Sequence, residues 1–245
     1  MVPKLTERKV PRNKVYFPPS AWWAGFKAVL QGRMQDGPES EELARRVAEM
    51  AGRKHIRLTA SGRQSILVSL KALGGEPGDE VLMPAYTCRV ILWSILVPGL
   101  KPVLVDTEPD TYNMCPDELV KRITPRSKFI LLTHMHGRPV DVDRFRAIAD
   151  EHGLTIIEDA ADGIGGAWNG RPMGSFGATS IISFSLYKNL NALDGGALVW
   201  DDDALTETID RELDALRRQP PSTVPEVIAA AQRKTTQVGT TNRSR

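Results

Sequence analysis

Apolar positions recur along this chain in two alternating rhythms. Over residues 38–50 the segment PESEELARRVAEM puts acids in its first turn and apolar side chains at Leu43, Val47 and Met50, the spacing of an amphipathic helix. Ser61 reads as the N-cap of a second helix reaching Leu73, with Ile66, Leu67, Leu70 and Leu73 apolar and Gly74 and Gly75 closing it. Beyond it, β-rich runs at 81–83, 103–106, 129–134 and 154–158 take turns with helical segments near 90–97, 117–123 and 142–152. That alternation predicts a parallel sheet covered on both faces. Two more β-rich runs, 179–184 and 197–200, flank a polar loop carrying Lys188, and a last helix is expected over 203–218.

The ends read differently. Residues 1–20 are basic and contain prolines, which suggests an arm over the surface or over a partner subunit, and Trp22 and Trp23 open a short apolar stretch. The reading is therefore an arm and first helix over 1–37, a large domain over 38–218, and a linker or disordered tail over 219–245. The tail holds Pro220, Pro221 and Pro225 and ends in QRKTTQVGTTNRSR, too polar to fold alone. No internal repeat is visible.

Composition narrows the function classes. With 245 residues, 41% hydrophobic and 25% charged, the chain has the make-up of a globular protein. Its 32 Lys plus Arg against 30 Asp plus Glu leave a net +2, so no whole-molecule field draws it to nucleic acid, and phosphate recognition has to be local. Cys88 and Cys115 are the only cysteines and no CxxC occurs, which speaks against a disulfide framework or a structural zinc site and fits a reducing cytoplasm. The apolar stretch 90–100 contains Ser94, Pro98 and Gly99 and is only about half a bilayer span. Lys4, Arg8, Lys9, Arg12 and Lys14 have no apolar core behind them, so no signal peptide is expected.

Several signatures fail. Gly163, Gly165 and Gly166 begin a dinucleotide-type loop, but its third glycine falls at Trp168; GxxxxGK[ST], HExxH and GxSxG do not occur. His134 and His136 at a strand end, with Asp141 and Asp143 nearby, allow a metal reading, as would a hydrolase built on His134, His136 and Asp159. The plainer account is two hydrogen-bonded histidines at a loop mouth, since no third ligand is suitably spaced.

A different set of residues gathers at the expected carboxyl ends of the strands, where open α/β sheets bind ligands. Glu158 and Asp159 follow a buried-looking strand, and a carboxylate there is costly unless a cation meets it. Lys188 sits in the polar loop of SFSLYKNLNALDGG, where enclosure would lower its pKa and make it nucleophilic. In ASGRQS, Gly62 and Arg63 begin a helix whose N–H groups and dipole form a phosphate site. A lysine in a loop, an acid pair and a helix cap each have an ordinary explanation alone. Together, a phosphate cradle, a carboxylate and an amine nucleophile are what pyridoxal phosphate requires.

From about Leu58 to Arg218 the chain resembles the DegT/DnrJ/EryC1/StrS family of pyridoxal-phosphate-dependent sugar aminotransferases. The resemblance rests on ASGRQSILVSLKALGGEPGDEVLMPAYTC, KPVLVDTEPDTYNMCPDELVKRITPRSK, HGRPVDVDRFRAIADEHGLTIIEDAAD, GRPMGSFGATSIISFSLYKNL and GGALV, in that order. It implies the large, cofactor-binding domain of a fold-type-I transferase, a three-layer αβα arrangement on a mostly parallel sheet, in a cytoplasmic homodimer. It implies that Lys188 bonds the cofactor and shuttles the proton, that Asp159 keeps the pyridine nitrogen protonated, and that Ser183, Gly62 and Arg63 hold the phosphate. Cys88 stands where many members have an aromatic residue stacked on the ring, and Asp162 where they have glutamine near the phenolate oxygen, a place from which a second carboxylate would be repelled or turned away. The implied reaction moves an amino group from glutamate or glutamine to a keto-sugar nucleotide or related cyclic ketone, in polysaccharide or secondary-metabolite biosynthesis. Members with histidine at the lysine position are dehydratases, so Lys188 argues for transamination. Members continue into a smaller C-terminal domain that is expected to be largely absent here. That leaves a truncated, non-catalytic remnant or half of a split enzyme as the alternative reading.

Overall fold

The computed structural model describes residues 18–32 and 37–218. In chain order the elements are α1 (Pro19–Leu30), α2 (Pro38–Ala51), β1 (His55–Thr59), α3 (Gly62–Ala72), β2 (Glu80–Pro84), α4 (Val90–Leu96), β3 (Lys101–Val105), α5 (Pro116–Arg122), β4 (Ser127–Thr133), α6 (Val142–His152), β5 (Thr155–Asp159), β6 (Ala167–Trp168), β7 (Arg171–Pro172), β8 (Thr179–Ser183), β9 (Gly196–Trp200) and α7 (Ala204–Arg217). Contacts divide the chain into units of residues 1–41 and 42–245. In the first, α1 opens with a proline in its first turn, where the missing N–H costs nothing, and stacks Trp23 on Phe26 at 5.8 Å. The tail expected over 219–245 and most of the basic arm lie outside the described residues.

The second unit is built on a seven-stranded sheet of order β1-β9-β8-β5-β4-β2-β3. Strands β3, β2, β4, β5 and β8 pair in parallel, as the alternating pattern predicts, while β9 runs antiparallel to both β8 and β1. The β8–β9 connection is thus a long hairpin loop rather than a helical crossover, and Lys188 lies on it.

Period-two alternation distributes the core over both faces. In β4, Phe129 and Leu131 join Ile66 and Leu70 of α3 and Ile91 and Ile95 of α4. Its other face sends Ile130 and Leu132 against Leu119 of α5 and Phe145 and Ile148 of α6. Farther along, Leu198 and Trp200 of β9 meet Ile209 and Leu213 of α7, and Ala197 and Val199 meet Val47 and Ala51 of α2. The result is a helix–sheet–helix sandwich, with α3, α4 and α7 on one side and α2, α5 and α6 on the other.

The sequence pattern did not indicate β1. His55–Thr59 has no apolar run; Ile56 and Leu58 pack on the α2 side, and Arg57 forms a two-pronged bond to Asp210 at 2.8 and 2.9 Å. Pairing with β9 settles it as a strand.

Candidate active site

A cavity of about 350 Å³ opens where α3 begins and where β4, β5 and β8 end. Its walls include Gly62, Arg63, Cys88, Asp159, Asp162, Ser183 and Lys188, so of the residues singled out from the sequence for this chemistry all but Glu158 line one space.

The phosphate-type corner comes from the start of α3. Ser61, extended at φ −171°, accepts at 3.3 Å from the Gln64 N–H, and Gln64 Oε1 reaches back to the Ala60 N–H at 2.7 Å. This S-x-x-Q clamp, close to a capping box, fixes the helix start and leaves its first N–H groups without intrahelical partners. Across the corner stands Ser183, the last residue of β8, paired in register with Gly196. A methyl group on Gly196 would lie 2.6 Å from the Gly62 nitrogen, so only glycine lets β9 pass this close to the helix tip. Arg63 lines the cavity, and its guanidinium makes no hydrogen bond or ion pair to any described residue.

At the floor lies Asp159, the last residue of β5. Its Oδ1 accepts from the Ala161 N–H at 3.0 Å. Burial pushes this carboxyl above the usual range, against the pull of the Ala161 N–H and of Lys188. The neighbouring Glu158 points the other way. Burial works to raise it as well, yet the hydrogen bond from His134 and the N–H groups of Gly174 and Phe176 prevail and hold it below the usual range. The cation expected opposite this acid is thus replaced by an imidazole and a ring of donors: His134 Nε2 at 3.0 Å, Gly174 N at 2.6 Å, Phe176 N at 2.7 Å and Ser180 Oγ at 2.8 Å.

His134 also accepts from the Val140 N–H at Nδ1, 3.3 Å away, which leaves Nε2 as the protonated nitrogen facing Glu158. Both ring nitrogens are committed, as the hydrogen-bonded reading of this histidine expects, and among the described residues no group of three or more His, Cys, Asp or Glu forms a metal nest. Lys188 is less enclosed than its sequence context suggests. Its side chain is 24% exposed, and Nζ donates to Asp162 Oδ1 at 2.8 Å. Asp162 is turned onto the lysine, and its backbone carbonyl accepts from Asn189 Nδ2 at 2.9 Å.

Sequence reasoning missed two further wall residues. Thr87 and Thr133 line the cavity, and their hydroxyls are buried without a hydrogen-bond partner among the described residues, as expected of groups that await a polar ligand. A threonine at a strand end beside a candidate acid is the signal that could have flagged Thr133.

The family model described as the DegT/DnrJ/EryC1/StrS aminotransferase family matches residues 24–220. The chain belongs to this family. Among solved structures it is similar to DesI, crystallised in the presence of its TDP-sugar product, at 34% identity and a TM-score of 0.72 over 81% of this chain and 50% of that one. It is similar to a DegT DnrJ EryC1 StrS aminotransferase from Brucella abortus, at 33% identity and a TM-score of 0.71 over 77% and 52%. NtdA from Bacillus subtilis, with bound cofactor PMP, matches at 32% identity and a TM-score of 0.70 over 77% and 42%. The chain therefore spans about half the length of these relatives.

Proposed function

We propose that this chain carries the cofactor site of a pyridoxal-phosphate-dependent aminotransferase that moves an amino group from glutamate or glutamine to a keto-sugar nucleotide or related cyclic ketone. The observation that carries the reading is the convergence of a helix N-terminus, a buried acid and a lysine on one cavity whose wall holds two unpartnered hydroxyls. Bound there, the cofactor would supply an aldehyde and an electron-withdrawing ring. Lys188 Nζ is the amine that would hold the cofactor's aldehyde and carry a proton at the substrate carbon. Asp159, raised by burial, would hold a protonated ring nitrogen, which would add an opposite charge to the pull of Lys188. Ser183, the α3 N–H groups at Gly62 and Arg63, and the Arg63 guanidinium take the phosphate. Cys88 contributes a small wall where a stacked ring would stand, and Asp162 holds the lysine amine in place.

The large cofactor-binding domain is proposed for 38–218, in a homodimer in the cytoplasm. DesI with its TDP-sugar product supports the acceptor class. Protein mixed with the cofactor is expected to show a near-visible absorbance band that Lys188→Ala abolishes; a mutant with the same band refutes the assignment of Lys188. Glutamate or glutamine should then convert the bound cofactor to its amine form. Failure of that half-reaction favours the second reading, a cofactor-binding module without turnover.

A further inference from the structure

Glu158 and Asp159 are adjacent buried carboxyls that meet very different numbers of hydrogen-bond donors. Glu158 accepts from His134 Nε2, from the Gly174, Phe176 and Gly177 N–H groups and from the Ser180 hydroxyl. Among the described residues Asp159 accepts only from the Ala161 N–H, at Oδ1, and its Oδ2 has no partner. A charged carboxylate can take about four hydrogen bonds, and burial without them favours the neutral acid. Burial works to raise both groups. The donors around Glu158 overcome it; Asp159 stays above the usual range, with the Ala161 N–H, Lys188 and His134 drawing it down and Asp162 pushing it up.

An unused donor lies one strand away. β4 and β5 pair in parallel with Thr133 beside Asp159, at the spacing of neighbouring strands, about 4.8 Å. Leu131 and Ile157, two residues earlier in each strand, both enter the core cluster that includes α3 and α4. Period-two alternation turns Thr133 and Asp159 to that same side, and both line the cavity. Thr133 is buried, and its Oγ1 has no partner among the described residues. A strand end favours a β-branched side chain, but valine provides one without leaving a hydroxyl unbonded in the interior. Thr87 shares the unbonded hydroxyl, yet it follows β2, two strands from β5.

We propose that Thr133 is a positioning residue for Asp159: with the cofactor seated, a rotamer change at χ1 brings its hydroxyl onto Oδ2 as a donor. The carboxylate is then held at both oxygens, by the Ala161 N–H and by Thr133, while it faces the ring nitrogen. A donor to the charged form of an acid favours that form. The assignment rests on the aminotransferase reading, because it is the bound ring that needs Asp159 charged.

The test uses the full chain and deoxypyridoxine phosphate, the cofactor with a methyl group in place of its aldehyde, so that binding bypasses the bond to Lys188. Thr133→Val keeps the shape of the side chain and removes the hydroxyl. Calorimetry is expected to show binding weakened by about five- to fiftyfold, recovered to within about threefold of wild type in Thr133→Ser. The pH below which affinity falls should move upward in Thr133→Val, since Asp159 then takes up its proton earlier as acid is added. Without ligand, the urea midpoint of Thr133→Val should equal or exceed that of wild type, because the hydroxyl it loses had no partner. A Thr133→Val chain that binds as wild type does overturns the assignment alone. So does one whose unliganded urea midpoint falls, which makes the hydroxyl structural. A wild-type chain that neither binds deoxypyridoxine phosphate nor forms the Lys188-dependent absorbance band overturns the cofactor reading, and this assignment with it.

Discussion

Replacing Glu158 with glutamine changes almost no volume, yet the structure makes it one of the costlier substitutions in this chain. Oε1 accepts from His134 Nε2 and the Gly174 N–H, and Oε2 from the Phe176 and Gly177 N–H groups and the Ser180 hydroxyl. A glutamine must turn its NH₂ toward one of these two sets. Facing the first set, it meets the Gly174 N–H, which cannot reverse, and a His134 that can accept only by moving its proton to Nδ1, against the Val140 N–H. Facing the second, it meets two backbone N–H groups. Either orientation leaves one or two buried donors unsatisfied, at roughly 1–3 kcal/mol each, so a total loss of about 2–4 kcal/mol is expected. For a domain of this size that lowers the melting temperature by roughly 5–15 °C, read by circular dichroism on the unliganded chain. A glutamine variant within about 1 kcal/mol of wild type in urea titration would refute the account. The pH dependence has a definite sign. The folded Glu158 pKa is below its unfolded value of about 4.5, so its contribution is complete above that pH and is lost as acid carries the pH down through the lowered folded value; the glutamine variant lacks this acid-dependent loss.

Other expectations follow from the same geometry. Gly196→Ala should cost about 1–3 kcal/mol by overpacking and weaken cofactor binding together with stability, since the new methyl group meets the Gly62 nitrogen at 2.6 Å and the Ile182 carbonyl at 2.8 Å; equilibrium unfolding and an absorbance titration test both. Asp162→Asn breaks a partly solvated ion pair and should change urea stability by less than about 1 kcal/mol, while shifting the pH at which the bound-cofactor absorbance changes. A shift in stability alone, with the absorbance profile unmoved, would make Asp162 a bystander to Lys188.

Most of the sheet was readable from the chain because β2, β4, β5, β8 and β9 are buried along most of their length, and because α3 and α6 are capped by Ser61 and Asp141. Ser61 caps α3 as its position suggested, and the helix over Val142–His152 has the bounds its apolar spacing gives. β1 escaped because its partners are all distant: Arg57 depends on Asp210, and its ladder on β9. The direction of β9 escaped for a related reason, as a loop gives no sign of whether it crosses over or folds back. At the site, residue types and their places along the chain identified Asp159, at a strand end, and Lys188, in a polar loop, as candidates, while Ser183 came from the family resemblance. The Glu158–His134 bond was invisible, because it follows from the β4–β5 register that sets Leu132 beside Glu158. The same holds for the Lys188–Asp162 pair, which joins the segments that follow the carboxyl ends of β8 and β5, neighbouring parallel strands.

The groups around the cavity come from the start of α3, the ends of β4 and β5 and the loop after β8, and none is held by its own segment alone. No fragment shorter than most of the sheet can display them together. A ligand bound there therefore favours only chains whose strands are already in register, and the melting temperature should climb with its concentration. Cofactor colour becomes a gauge of assembly: the fraction of molecules carrying it counts those that have completed the longest-range pairings of the fold.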